Sequence, residues 1–294
     1  MKRILFAVVM MTHLFCTVTA CAQEQRTFVM EKSGGHFYLN TTLNGVEARM
    51  MLESGVPGLM MSRTFYESNK DKMLLDLKPC EEKIRYSHGT YDIVFKAHGQ
   101  LSVGDAAFEG TVMIVDGDHE LLIPFNMLRH TKDDKGAVYL DLTNNMMRVI
   151  SGKELDKVSE NANGMDLSFN KFGMPVVNTM LTMDVNGSHV DVTGNFIVDM
   201  GNGSLLFINK CEKKVAAMLT DGNVTLKEAR DMNGNVVAEG LFADKLTICG
   251  RTFDDVSVGV RQFKSIDDCG FLGVKFFTGP VVFDFNNGRM FLCE

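Results

Sequence analysis

The chain has 294 residues, 45% of them hydrophobic and 23% charged, with 30 Lys+Arg against 37 Asp+Glu and a formal net charge of −7. That length suits two domains of average size, and that mix excludes wholesale disorder. An acidic chain without a basic tract is a poor nucleic-acid binder, so no nucleic-acid partner is expected.

The N-terminus comes first. Lys2 and Arg3 precede an apolar run from Ile4 to Met11, then small residues up to Ala22. This is the layout of an export signal over residues 1–22, and the run is too short for a membrane span. Two cleavage readings stay open. Ala20-Cys21-Ala22 fits small-x-small cleavage, whereas Val18-Thr19-Ala20-Cys21 resembles a bacterial lipobox and would put a lipid on Cys21. Both make the protein exported: periplasmic, cell-envelope or secreted, with membrane contact only through that lipid. Cys80, Cys211, Cys249, Cys269 and Cys293 lie beyond. Export permits disulfides, but buried free thiols are an equal reading. With no Cys-x-x-Cys and no His-Glu-x-x-His, neither a metal nor a cofactor is expected.

Past the signal, Phe37 to Leu43 alternates as a strand and ends in an Asn44-Gly45 turn. Met50-Met51-Leu52 then runs into Glu53-Ser54-Gly55, and residues 64–72 read as a short helix. Lys83 to Tyr86 and Thr90 to Phe95 flank a turn at Ser87-His88-Gly89. Leu101-Ser102-Val103-Gly104, then Leu122-Ile123-Pro124 with a helix-like turn, and then a hairpin turning at Asn144-Asn145 complete this half. The polar stretch from Ser151 to Gly164 reads as a linker.

The same order then recurs. Val176 to Val185 ends at Asn186-Gly187, and Phe196-Ile197-Val198 runs into Asp199-Met200-Gly201. A helix is expected over 209–219, followed by Leu246 to Gly250, Phe271-Leu272-Gly273 and a hairpin turning at Asn287-Gly288. Glu53 and Asp199 are as far apart as Gly104 and Gly250. Recurrence in one order at a nearly constant offset marks an internal duplication. It predicts a mainly β chain of two similar halves, 27–157 and 163–294.

A carboxylate closing an apolar strand before a small residue and Gly commonly just starts a turn. Duplication changes that reading, because related halves bring equivalent loops face to face. Two carboxyls that meet share a proton. The ionised one activates water and the protonated one polarises a carbonyl. The glycine two residues on lets the backbones approach closely.

At these residues the chain resembles the aspartic peptidases of the pepsin and retropepsin type, over roughly residues 28–294. Their mark is Asp-Thr/Ser-Gly after an apolar strand, once per lobe, with a later apolar-apolar-Gly segment. Glu53-Ser54-Gly55 and Asp199-Met200-Gly201 stand at the first mark. Phe271-Leu272-Gly273 and Leu122-Ile123-Pro124 stand at the second. The resemblance implies two pepsin/retropepsin-like β-barrel lobes related by a pseudo-twofold, with a cleft between them that takes an extended peptide. Asp199 and Glu53 would be the catalytic pair, and Ser54, Gly55, Met200 and Gly201 would support their loops. Tyr86, His88, Gly89 and Tyr91 would belong to a flap over the substrate.

Three departures bear on catalysis. Glu53 is one methylene longer than Asp, a shift of up to ~1.5 Å. Met200 lacks the hydroxyl that would answer Ser54 in locking the two loops together. Pro124 replaces a glycine, so an altered backbone behind Glu53 is expected. Three functions therefore stand: a peptide-binding protein of this type without turnover, an active aspartic endopeptidase, and an unrelated exported β-rich binding module. No Gly-x-Ser-x-Gly and no cysteine in a nucleophile setting supports other hydrolase chemistry.

Overall fold

The computed structural model describes residues 26–86, 89–104, 106–128 and 136–293. The chain is mainly β, with 55% of it in strands. The export signal expected over 1–22, with Cys16 and Cys21, lies outside the described residues, as do Ser87 and His88.

Alternation builds the first hairpin. His36–Leu43 pairs antiparallel with Val46–Leu52, and Asn44 (φ 44°) with Gly45 (φ 83°) turns between them. Two successive positive φ values fit a tight hairpin turn, which Asn-Gly adopts at little cost. Pro175–Val185 and Ser188–Val198 repeat the arrangement, with Asn186 (φ 51°) and Gly187 (φ 80°) at the turn.

Each hairpin sits in a closed circuit of pairings. His36–Leu43, Val46–Leu52, Leu122–Ile123, Leu59–Ser62, Ala106–Val115 and Gly89–Val103 follow one another, and the last pairs back to the first to close a 6-strand barrel. In the second sheet, Pro175–Val185, Ser188–Val198, Gly270–Leu272, Leu206–Asn209, Arg251–Arg261 and Val236–Ile248 follow in the matching order. There the pairing of Leu181 with Ile248 closes the circuit. The parallel and antiparallel senses match at every step. In particular, Leu52 pairs parallel with Ile123 as Val198 does with Leu272.

Strands from both ends and the middle of the chain share one sheet, in the order Arg26–Val29, Met146–Ile150, Ala137–Asp141, Val281–Asp284, Arg289–Leu292, Asn163–Phe169. Its middle seam joins Val138 to Phe283, Tyr139 to Val282 and Leu140 to Val281. The flanking hairpins turn alike: Asp141 accepts from the Asn144 N–H at 2.9 Å, and Asp284 from the Asn287 N–H at 3.1 Å. One apolar core runs beneath both halves, with Leu52, Phe125 and Leu140 packed together with Val198, Phe276 and Phe283. Phe125 meets Phe283 edge-on at 4.7 Å.

Three expectations shift. The helix expected over 64–72 is Arg63–Met73, capped by Ser62, whose Oγ accepts from the Phe65 N–H. The one expected over 209–219 is Lys213–Asp221, because Asn209 still belongs to a strand and Glu212 supplies the cap. The stretch read as a linker holds a helix, Lys153–Ser159. Its Leu155 and Val158 pack against Ala137, Ile150 and Val282, and Arg148 bonds Glu154 at 2.7 Å. Two apolar side chains three residues apart are enough to dock one short helical face.

Candidate active site

Glu53 and Asp199 each follow the end of a strand, and each is held by the same kind of backbone bond. The Glu53 N–H donates to Ile123 O at 2.9 Å, and the Asp199 N–H to Leu272 O at 2.8 Å. The apolar strands Val46–Leu52 and Ser188–Val198 thus run parallel to short central strands and project an acid from their ends.

The two carboxyls meet and are hydrogen-bonded to each other. Each is also held by the glycine two residues on. The Gly55 N–H donates to Glu53 Oε1 at 2.8 Å, and the Gly201 N–H to Asp199 Oδ1 at 3.1 Å. Neither glycine leaves room for a side chain. A β-carbon on Gly55 would lie 2.9 Å from Asp199 Oδ1, and one on Gly201 would lie 1.4 Å from Glu53 Oε2. The asymmetry comes from the extra methylene of Glu53, which carries its carboxyl across Gly201.

Ser54 ties the two loops together. It is fully buried; its Oγ donates to Val198 O at 2.6 Å and accepts from the Met200 N–H at 2.8 Å. Met200 is buried in the main core and offers no hydroxyl in return. Pro124 does not alter the bond behind Glu53, which matches that behind Asp199 to within 0.1 Å. The expected change falls one residue later. The Gly273 N–H donates to Leu205 O at 2.9 Å, and a proline at 124 has no N–H to do the same. Gly273 itself is obligatory, since a β-carbon there would come within 2.3 Å of Ser204 O.

The pair is electrostatically unequal. Burial, the Asp199 charge and the hydrogen bond to Asp199 together hold the Glu53 carboxyl well above the usual carboxylate range. Burial also raises Asp199. It is opposed there by the Glu53 hydrogen bond, the N–H groups of Gly201 and Asn202, and the charge of His36. A shared proton therefore rests on Glu53, and Asp199 ionises first.

The hairpin expected as a flap is formed by Lys78–Tyr86 and Gly89–Val103, with Tyr86 opposite Gly89. Its turn, with Ser87 and His88, lies outside the described residues, and so does the side chain of Tyr86. Tyr91 is half-buried, stands opposite Ile84 and meets His119 edge-on at 4.4 Å. It packs on an apolar cluster that includes Val56, Met60 and Leu122. Asn202, in the loop after Asp199, and His36, whose charge bears on Asp199, were not singled out by the spacing of motifs. His36 opens a strand and carries no local signal of its role.

The five described thiols, Cys80, Cys211, Cys249, Cys269 and Cys293, are unbridged. Burial pushes Cys269 up to about 12 and Cys249 up to about 11, so neither is a ready nucleophile. Neither a protein-family model nor a curated protein sequence matches the chain.

Proposed function

We propose that the two halves are pepsin/retropepsin-like lobes related by a pseudo-twofold, that the carboxyl pair lies in the cleft between them, and that the protein is an exported aspartic-type endopeptidase. One observation carries the reading: Glu53 and Asp199, on equivalent strand ends with equivalent backbone support, share a hydrogen bond and differ in proton affinity. The recurrence of every barrel pairing supports the lobes. The shared sheet, whose middle seam joins equivalent strands antiparallel, supports the pseudo-twofold.

The chemistry follows from the unequal pair. The Asp199 carboxylate takes a proton from a water whose oxygen attacks the scissile carbonyl carbon. Glu53 gives its proton to the carbonyl oxygen, and a neutral diol forms. Asp199 then returns its proton to the amide nitrogen. The Glu53 carboxylate recovers one from a diol hydroxyl as the C–N bond breaks.

Activity needs one proton on the pair, so its pH profile is a bell. It falls in acid as Asp199 protonates and in alkali as Glu53 ionises. The test is a pH-resolved digestion of a diverse peptide library by the wild type beside Asp199→Ala. A bell-shaped rate, blocked by a peptide mimic of the diol and reduced by about 1,000-fold or more in the variant, is expected. Cleavage that survives Asp199→Ala unchanged would refute the mechanism.

A second reading, peptide binding without turnover, rests on two features: the lock between the loops has a hydroxyl on one side alone, and the Glu53 carboxyl is carried over Gly201. A misplacement of about 1 Å costs on the order of 100-fold in rate. Peptide binding with no cleavage at any pH would assign the protein to this reading.

A further inference from the structure

The strand Lys227–Arg230 ends the larger sheet. Val236–Ile248 pairs with it on one side, and no strand among the described residues pairs with it on the other. All four of its residues are exposed. Of the eight large apolar side chains exposed among the described residues, four lie in the turn it enters and the strand beside it: Met232, Val236, Val237 and Phe242. A free edge next to that concentration of bare apolar surface is the setting in which a further strand adds.

The hairpin fixes which backbone groups the edge offers. The Asp231 N–H donates to Asn235 O, and Ala229 stands opposite Ala238. The extra residue of the bulge after Ala229 lies in the neighbouring strand, so alternation along residues 227–231 is unbroken. Lys227, Ala229 and Asp231 therefore spend their backbone groups on that neighbour, and Glu228 and Arg230 turn theirs outward.

Charges guard an edge when a copy would meet like against like. Here the signs alternate so that a copy meets opposites. Lys227-Glu228-Ala229-Arg230-Asp231, read backwards, carries the opposite charge at every charged position. An antiparallel copy centred on Ala229 sets Glu228 against the partner's Arg230 and Lys227 against the partner's Asp231. In that register the outward groups of Glu228 and Arg230 make two hydrogen-bonded pairs with those of the copy. A register centred on Glu228 or on Arg230 sets two like charges face to face instead. Within one chain the Arg230 guanidinium already bonds the Glu228 carboxylate, so both heads lie on the face where the copy's heads would meet them.

We propose that Lys227–Arg230 is the seam of a symmetric dimer, in which this edge pairs antiparallel with the same edge of a second copy about a twofold at Ala229. The larger sheet then runs on from one chain into the other. The pairing uses the edge up in both copies, so assembly stops at two. A seam this short buries less than a standard interface, which sets the expected Kd at about 10 μM. The dimer does not depend on any peptidase activity.

The test is sedimentation velocity of the protein from about 1 to about 200 μM, with charge reversals on the exposed edge. The wild type is expected to pass from monomer to dimer over this range and to go no further. Glu228→Arg and Arg230→Glu each put like charges opposite one another in both pairs, and each is expected to raise Kd by about 30-fold or more. Mixing the two variants restores opposite charges at both places, so the mixture is expected to form the dimer that neither forms alone. The double variant Glu228→Arg/Arg230→Glu is expected to dimerise by itself. Recovery of this kind is not available to a chain that has lost its fold.

A wild type that stays monomeric throughout, a dimer that both single variants keep, or single variants that stay monomeric when mixed would overturn the proposal. So would species that keep growing past the dimer, which would mark head-to-tail addition onto the opposite edge of the same sheet, Arg26–Val29.

Discussion

Glu53 is the residue at which this site departs furthest from a symmetric pair of aspartates. Its length brings Oε2 to where Gly201 tolerates nothing larger than hydrogen, and burial beside Asp199 raises its proton affinity. Both members of the pair have raised proton affinity in the folded protein. The stability this contributes is fully present below the unfolded carboxylate values and is lost as pH rises through the folded ones. Glu53→Gln removes the larger of the two effects. The melting temperature of the wild type should therefore drop from pH 5 to pH 8 by more than that of the variant, with the variant the more stable at pH 8. Parallel melting curves across that range would show that Glu53 carries no excess proton affinity. At this scale much of the site was legible, because a strand-end acid followed two residues later by glycine is a local pattern and occurs twice. His36 and Asn202 were not. Each has a buried polar atom without a partner among the described residues, a property of the folded neighbourhood and not of any spacing along the chain.

Among the elements, the two acid-bearing loops are joined by a single hydroxyl. Ser54→Ala strips Val198 O and the Met200 N–H of the partner they share across the halves. Two buried backbone groups left bare cost about 2–4 kcal/mol together, a loss that urea unfolding should register as a lower midpoint at unchanged slope. A midpoint within error of the wild type would mean that the loops are held by the strands they follow alone. Hairpins were the elements most readable beforehand, since Asn44-Gly45, Asn186-Gly187 and Asn287-Gly288 announce their turns. The helix at Lys153–Ser159 was hidden inside a polar stretch because a small docked face needs only Leu155 and Val158. The parallel contacts of Leu52 with Ile123 and of Val198 with Leu272 join segments some 70 residues apart, and period-2 alternation says nothing of such partners.

For the whole molecule, the recurrence of one strand order raises the question of whether either half is a folding unit. About 125 residues are ample for an independent core, so length does not decide it. The seam does. Separating the halves after Ile150 would leave Ala137–Asp141 as a bare sheet edge on one fragment and Val281–Asp284 as a bare edge on the other. It would also take Phe125 from Phe283 and expose core that now runs beneath both. An unpaired edge beside exposed apolar surface favours association over a stable monomer. Fragments 26–150 and 151–294, produced separately, should each lack a cooperative melting transition or self-associate, and should regain one transition when refolded together. The carboxyl pair makes the outcome sharper, because each fragment holds one acid. Peptide binding by the mixture, absent from either fragment, would place the site at the junction. A fragment that melts cooperatively as a monomer would show instead that the seam was added to two halves already able to fold.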